Sequence, residues 1–136
     1  MSDCYENLAE GESQIRDLLA GAKVLNVDET SLRVHGVREW LHVASNELLT
    51  WYGYHRKRGS QAMDEILILT RFKGIMVHDC WAPYFRSIVQ HALCNAHLLR
   101  EMKGITENFG QKWSGQLHDL LLAIKDPELS SFRHCI

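Results

Sequence analysis

Two stretches of the sequence decide the fold: residues 23–30 read KVLNVDET, and residues 72–81 read FKGIMVHDCW. Each contains a short apolar run that favours a β-strand, and the runs end at Asp28 and Asp79. The second run, GIMVH, has no alternation with exposed polar residues, which is typical of a strand buried on both faces of a sheet. If the two strands are neighbours in one sheet, both carboxylates meet at the same edge.

The segments around these two stretches predict a mixed α/β domain. Residues 39–44 and 48–54 also favour strands and, together with residues 23–28, predict a three-stranded antiparallel meander. Helical patterns occupy residues 5–20, 60–69, 82–90, 96–102 and 111–125, and Ser60 is the expected N-cap of the second helix. A brief fifth strand is expected at residues 92–94. This order predicts a mixed sheet with helices packed on it.

Composition limits the class of protein. The chain has 136 residues, of which 46% are hydrophobic and 24% charged, as expected for one soluble globular domain. No apolar run reaches the roughly 18 residues of a membrane span, and the N-terminus lacks a secretory pattern, so we expect a cytoplasmic protein without a membrane partner. The formal net charge is −2, so any contact with nucleic acid must come from a local basic patch.

The two aspartates are the first candidate site. Asp28 alone is better explained as a helix cap, a turn residue or a solvated strand end, and Asp79 has the same position at the end of its strand. As a pair they are more informative, because two carboxylates held close together repel each other unless a cation lies between them. Mg²⁺ accepts a few carboxylate oxygens, and two such ions about 3.5–4 Å apart can promote phosphoryl transfer.

The segment HALCNAH is a second candidate, because Cys94 and His97 are three positions apart and His91 has the same spacing upstream. This spacing suits zinc, but a zinc site needs a fourth ligand, and only His78 or Cys80 is near in sequence. A buried cysteine at a strand end, followed by a histidine that braces a helix, explains the pattern better.

A compact basic turn, HRKRGS, follows the third predicted strand and carries Arg56, Lys57 and Arg58. Such a turn can contact phosphate groups, and Arg33 and Arg38 could extend the patch. The alternative is an ordinary solvated basic loop, which is the more frequent outcome for a run of charges.

Five segments, taken in order, resemble the catalytic core of insertion-sequence-66 transposases of the DDE group: VLNVDET, REWLHVAS, HRKRGSQAMDEI, FKGIMVHDCWAPYF and HALCNAHLLREM. The resemblance implies a ribonuclease-H-like α/β fold, in which an antiparallel meander and parallel strands form one mixed sheet flanked by helices. It also implies three regions: an N-terminal helix at 1–22, a catalytic core fragment at 23–102, and a helical segment with a tail at 103–136.

The resemblance assigns roles to single residues. The first two catalytic acids fall on Asp28 and Asp79, which would hold Mg²⁺ or Mn²⁺, and the partner would be DNA, both transposon ends and target. The family's KRG segment falls on Lys57, Arg58 and Gly59. Cys94 and His97 match a CxxH element, and we expect them to brace the active site together with Arg100.

The chain also departs from the family pattern. Cys80 stands where many relatives have glycine, and the third acid, a glutamate on a late helix, is missing, so we expect a truncated domain that is incomplete at its C-terminus. Metal-dependent DNA cleavage and strand transfer would then be impaired, which leaves open whether this chain alone is an enzyme. The alternative is a non-catalytic DNA-binding or interaction remnant. A partly uncovered sheet would also favour self-association.

Overall fold

A five-stranded mixed sheet is the centre of the fold. The computed structural model describes residues 2–66 and 68–125. In spatial order β3-β2-β1-β4-β5, the strands are β1 (Val24–Val34), β2 (Val37–Ser45), β3 (Thr50–His55), β4 (Ile75–His78) and β5 (Gln90–Leu93). Strand β2 is antiparallel to both β1 and β3, whereas β4 is parallel to β1. This is the ribonuclease-H-like arrangement, and it confirms the predicted fold class.

The helices lie before, between and after the strands. They are α1 (Ser2–Ala20), α2 (Ser60–Glu65), α3 (Ile68–Arg71), a 3₁₀ helix (Ala82–Arg86), α4 (Asn95–Phe109) and α5 (Lys112–Lys125). No described helix is long and apolar enough to cross a membrane.

Two helix predictions were wrong in detail. The helix predicted at 60–69 is split into α2 and α3, and its N-cap is Gly59 instead of Ser60, with no side-chain hydrogen bond. The helix predicted at 82–90 is a short 3₁₀ helix, because Ser87 is already extended and Gln90 begins a strand.

Strand β1 is longer than predicted because a tight hairpin joins it to β2. Val34 pairs with Val37, and the two residues between them, His35 and Gly36, have φ values of 49° and 82°. Two positive φ values in a two-residue loop are the pattern of a type I′ turn, whose twist matches that of the flanking strands. The strand therefore continues past Asp28 as far as the turn.

The chain forms two compact units, residues 1–92 and 93–136. In the first unit, α1 packs against α3 and β3, and α2 packs against α3. Its core consists of Leu19, Leu25, Val27, Ala44, Trp51, Met63, Ile68, Phe72, Met76 and Tyr84.

In the second unit, α4 and α5 pack together, and the hydroxyl groups of Thr106 and Ser114 are 2.7 Å apart. The three functional regions expected from the sequence stay a prediction, and residues 126–136 of the last region lie outside the described residues.

The start of the parallel pairing between β1 and β4 requires a glycine at position 74. The Ile75 N–H donates a hydrogen bond of 2.9 Å to the Lys23 carbonyl oxygen. A Cβ atom on Gly74 would overlap that same oxygen and lie 2.8 Å from the carbonyl oxygen of Ala22. Only glycine lets the two backbones approach this closely.

We expect Gly74→Ala to lower the free energy of unfolding by about 1–3 kcal/mol, because the added methyl group forces the two strands apart. Urea unfolding of the parent and the variant measures this. The control is Gly11→Ala in α1, where the new Cβ meets nothing within 4 Å and should stabilise the protein by about 0.5–1 kcal/mol. Equal stability of Gly74→Ala and the parent would contradict the steric argument.

Candidate functional site

The pairing register of β1 with β4 brings the two predicted acids together. Three consecutive pairs of residues are joined: Val24 with Ile75, Leu25 with Met76 and Asn26 with Val77. The last of these pairs lies two positions before each acid, and Asp79 directly follows the end of β4, so the same register continued by two positions would set Asp79 across from Asp28. Neighbouring strands are about 4.8 Å apart, so the two carboxylates lie at one edge of the sheet.

Strand alternation determines the face on which these acids lie. Leu25 and Val27 are buried in the core, whereas Asn26 and Asp28 between and after them are exposed on the opposite face. His78, the last residue of β4, is fully buried, and Asp79 follows it. Asp28 therefore lies on the outer side of the sheet, and Asp79, in the turn that follows β4, is half-buried.

One oxygen of each carboxylate is held by a backbone donor close in sequence. The Glu29 N–H donates to Oδ1 of Asp28 at 2.8 Å, and the Trp81 N–H donates to Oδ1 of Asp79 at 3.0 Å. These bonds fix the orientation of both side chains and leave the two Oδ2 atoms available. Paired carboxylate oxygens of this kind suit a hard cation.

Glu29, to which the sequence assigned no site role, is a buried carboxylate that forms an ion pair with the partly exposed Arg58. Its side chain is only 1% exposed. Nε and Nη2 of Arg58 donate to Oε1 of Glu29 at 2.8 and 2.6 Å, and the Tyr84 hydroxyl donates to Oε2. Both carboxylate oxygens of Glu29 are therefore engaged by protein donors.

Two tryptophans enclose the Arg58 guanidinium. Its Cζ atom lies 5.0 Å from the ring centre of Trp40 and 4.1 Å from that of Trp81. The Trp81 ring also meets Tyr84 edge-on, with ring centres 5.5 Å apart. We call Glu29, Arg58, Tyr84 and these two tryptophans the Glu29 cluster.

Tyr84 connects this cluster with the aspartate pair. Burial raises the pKa of the Tyr84 hydroxyl, and its hydrogen bond to Glu29 and the negative charge of that carboxylate act in the same direction. The charges of Asp28 and Asp79 also raise this pKa. Both acids thus lie within electrostatic reach of one hydroxyl group, which agrees with the strand register.

The basic turn is divided between the surface and the interior. Arg56 and Lys57 are exposed, and Nζ of Lys57 donates to Oε1 of Gln61 at 2.7 Å. Arg58 turns inward to Glu29, although its side chain remains 39% exposed. The assignment of all three residues to DNA binding stays a prediction.

Cys94, His97 and Arg100 belong to the second compact unit. The Cys94 carbonyl accepts a hydrogen bond of 3.0 Å from the His97 N–H at the first turn of α4. Nδ1 of His97 is buried and has no partner among the described residues, and Arg100 is exposed. Their role in bracing the active site stays a prediction.

The zinc alternative finds no support in the described part of the chain. His78 and His91 hydrogen-bond to each other, with Nε2 and Nδ1 2.9 Å apart. Within residues 2–66 and 68–125, no group of three or more His, Cys, Asp or Glu side chains could hold a metal ion.

The family of the chain follows from comparison with known proteins. A model of the transposase IS66 family matches residues 1–131. The chain belongs to this family. The match confirms the resemblance found in the five sequence segments, and the chain is therefore a transposase domain of the DDE catalytic type. No curated protein matches the sequence.

Among the solved structures to which the chain is similar are two forms of a viral integrase core domain and one viral intasome. The catalytic core domain of HTLV-2 integrase in complex with magnesium, in its trimeric form, is 12% identical, with a TM-score of 0.41 over 73% of this chain and 81% of that chain. The dimeric form of the same domain is 13% identical, with a TM-score of 0.39 over 65% of this chain and 74% of that chain. A chain of the simian T-cell lymphotropic virus intasome, in complex with PP2A regulatory subunit B56 gamma, is 10% identical. Its TM-score is 0.40 over 73% of this chain and 46% of that chain. The fold assignment rests on the strand order described above.

His42 supports the site from the inner face of the sheet. It pairs with Glu29 across β1 and β2, and its Nε2 lies 3.3 Å from the Lys57 carbonyl oxygen. Burial is the largest influence and lowers the pKa of His42, more than the Lys57 hydrogen bond and the Glu29 charge raise it. The folded protein therefore resists protonation of this side chain.

We expect this effect to lower stability in mild acid. In the unfolded chain histidine takes up a proton near pH 6.5, so stability falls as the pH drops below that value, until the lower folded pKa is passed. His42→Gln keeps an N–H donor near the Lys57 carbonyl and does not titrate. Its Tm should fall less between pH 7.5 and 5.5 than that of the parent. Equal falls in thermal unfolding would contradict this expectation.

Proposed function

We propose that this domain carries out the metal-dependent cleavage and transfer of DNA strands, with Asp28 and Asp79 as its first two catalytic acids. The observation that supports the proposal is the parallel β1–β4 register, which ends two positions before Asp28 and Asp79 on neighbouring strands. Membership of the transposase IS66 family supports it independently.

The donor set fits Mg²⁺ or Mn²⁺. Mg²⁺ is commonly held by one or two carboxylates and completes its shell with water and substrate phosphate oxygens. Asp28 and Asp79 would supply those carboxylates. When bound, the ion would supply Lewis-acid catalysis and an activated oxygen nucleophile for phosphoryl transfer. The backbone N–H groups of Glu29 and Trp81 donate to Oδ1 of each acid, and Oδ2 of each acid would be available to hold the cation.

The exposed part of the basic turn is suited to the DNA backbone. Arg56 and Lys57 present two positive charges to solvent, and such side chains bind phosphate without reading sequence. We propose that they hold a DNA strand, either a transposon end or the target. The assignment of Arg58 to DNA binding remains a prediction alongside them.

We further propose that the activity of this chain is impaired. In the part of the chain that the structure describes, no further Asp, Glu, His or Cys side chain joins Asp28 and Asp79 to form a metal-binding group of three. Two carboxylates hold divalent ions more weakly than three, so strand transfer by this chain alone should be inefficient.

Self-association also remains a proposal, and the exposed Tyr52 and Tyr54 side chains of β3 support it.

The metal site is tested by Asp28→Asn and Asp79→Asn. Each substitution keeps the shape of the side chain but removes one negative charge, so the affinity for Mn²⁺ should fall at least about tenfold. Titration of free Mn²⁺ by electron paramagnetic resonance measures the binding. Asp64→Asn, on the exposed side of α2, is the matched control and should bind Mn²⁺ as the parent does.

Two outcomes would favour the alternative, a non-catalytic DNA-binding or interaction remnant of a transposase. One is unchanged Mn²⁺ affinity in both variants, and the other is no Mn²⁺ binding by the parent. Efficient joining of element ends by the purified chain in Mg²⁺ would instead contradict the inference that activity is impaired.

The DNA contact is tested by the double variant Arg56→Ser/Lys57→Ser. We expect weaker binding to any duplex, and a salt slope of log K that is smaller by about 1 for each lost phosphate contact. Fluorescence anisotropy at several salt concentrations measures both quantities. Lys112→Ser/Lys125→Ser removes the same charge from α5 and should leave the slope unchanged. A loss of equal size in both double variants would show only an effect of net charge.

A further inference from the structure

We propose that the Glu29 cluster is a positioning network that holds the segments bearing Asp28 and Asp79 at a fixed separation. The inference rests on the proposed function of the two acids. It assigns to Glu29, Arg58 and Tyr84 a role that is distinct from contact with metal or DNA.

One end of the network lies on β1, directly after the first acid. Glu29 follows Asp28 along the strand, and its side chain is on the opposite, buried face. The backbone N–H of Glu29 also donates to Oδ1 of Asp28 at 2.8 Å. Because the side chain of Glu29 is fixed in the core, the backbone donor that orients Asp28 is fixed as well.

The other end lies in the turn after β4. The Trp81 N–H orients Asp79 at 3.0 Å, and the Trp81 carbonyl accepts from the Tyr84 N–H at 3.1 Å, where the 3₁₀ helix begins. The Tyr84 hydroxyl then donates to Glu29. The turn that carries Asp79 is therefore joined to the strand that carries Asp28 through a buried hydrogen bond.

Arg58 makes the second connection between the two segments. Its guanidinium donates twice to Oε1 of Glu29 on β1, and one of its faces lies 4.1 Å from the Trp81 ring in the turn. A planar guanidinium can bond in its plane and stack on an indole at the same time, whereas a lysine ammonium cannot. Both connections thus run from Glu29 to the segment that orients Asp79.

Loss of this network should weaken metal binding without removing a ligand. Groups that orient metal ligands typically contribute about 10–100-fold to metal affinity. A merely structural ion pair would behave differently. Replacing it with a neutral pair of similar volume would leave both the stability and the metal affinity at the parental level.

The experiment compares the double variant Glu29→Gln/Arg58→Met with the parent. Removing both charges avoids an unpaired buried charge, so the protein should remain folded. Mn²⁺ affinity should nevertheless fall at least about tenfold. In metal-free protein, hydrogen exchange of the Trp81 amide, measured by NMR, should become at least about tenfold faster, since that N–H would lose its fixed acceptor geometry.

Two single variants keep the test decisive if the double variant does not fold. Arg58→Lys preserves the charge but not the stacking, and it should show the same two changes; full parental behaviour would overturn the inference. Tyr84→Phe removes only the hydroxyl that donates to Glu29, and the Trp81 amide should again exchange faster. Arg71→Met breaks an exposed ion pair with Asp17 and is the matched control, with parental values expected.

The two readouts separate this inference from the proposed function. If the parent binds no Mn²⁺, the proposed metal site fails, while exchange of the Trp81 amide still tests the network. If the parent binds Mn²⁺ and a folded network variant keeps parental affinity and amide exchange, the inference fails and the metal site stands.

Discussion

The parallel pairing of β1 with β4 is the constraint on which the rest of the structure depends. Side chains alternate between the faces of a strand, so a slip of one residue would move Asp79 to the core face and expose His78. The register is set where the two strands meet, by the Ile75 N–H bond to the Lys23 carbonyl and by the close approach at Gly74. The faces on which Asp28 and His78 lie follow from the register that this contact sets.

The same strand uses two consecutive acids in opposite ways. Asp28 is exposed and available to a cation, whereas Glu29 is buried on the other face. An unpaired carboxylate in the interior would be strongly destabilising, and Arg58 offsets that cost with two charge-assisted hydrogen bonds. Because the side chain of Glu29 is held in the interior, its backbone N–H is fixed in the position from which it donates to Oδ1 of Asp28.

The sequence predicts those parts of the candidate site that follow from a local pattern of residues. It does not predict the parts that depend on contacts between distant segments of the chain. Strand-forming runs that end in Asp28 and Asp79 are visible in the sequence, and so is their resemblance to a transposase family. The Glu29 cluster could not be predicted in the same way, because Arg58 and Tyr84 are 29 and 55 positions from Glu29. Alternation alone could have indicated that Glu29 faces the core, but not which donors would reach it.

Errors in the predicted elements have equally local causes. The strand at 23–28 was too short because the positive φ values at His35 and Gly36 permit a tight hairpin, and the pattern of apolar residues does not encode its length. The helix at 82–90 was too long because Pro83 and the residues around it favour a helical start, whereas Ser87 is already extended.

The division of the basic turn bears on how the proposed metal site and the proposed DNA surface could both belong to a chain with a net charge of −2. Phosphate groups are repelled by Asp28 and Asp79 unless a cation is bound between them. Of the three basic residues in the turn, Arg58 forms an ion pair with the buried Glu29, whereas Arg56 and Lys57 are exposed to solvent. Attraction by two charges is weak at physiological salt, so in the proposed function contact with DNA would depend on a cation at the aspartates as much as on the protein's own positive charges.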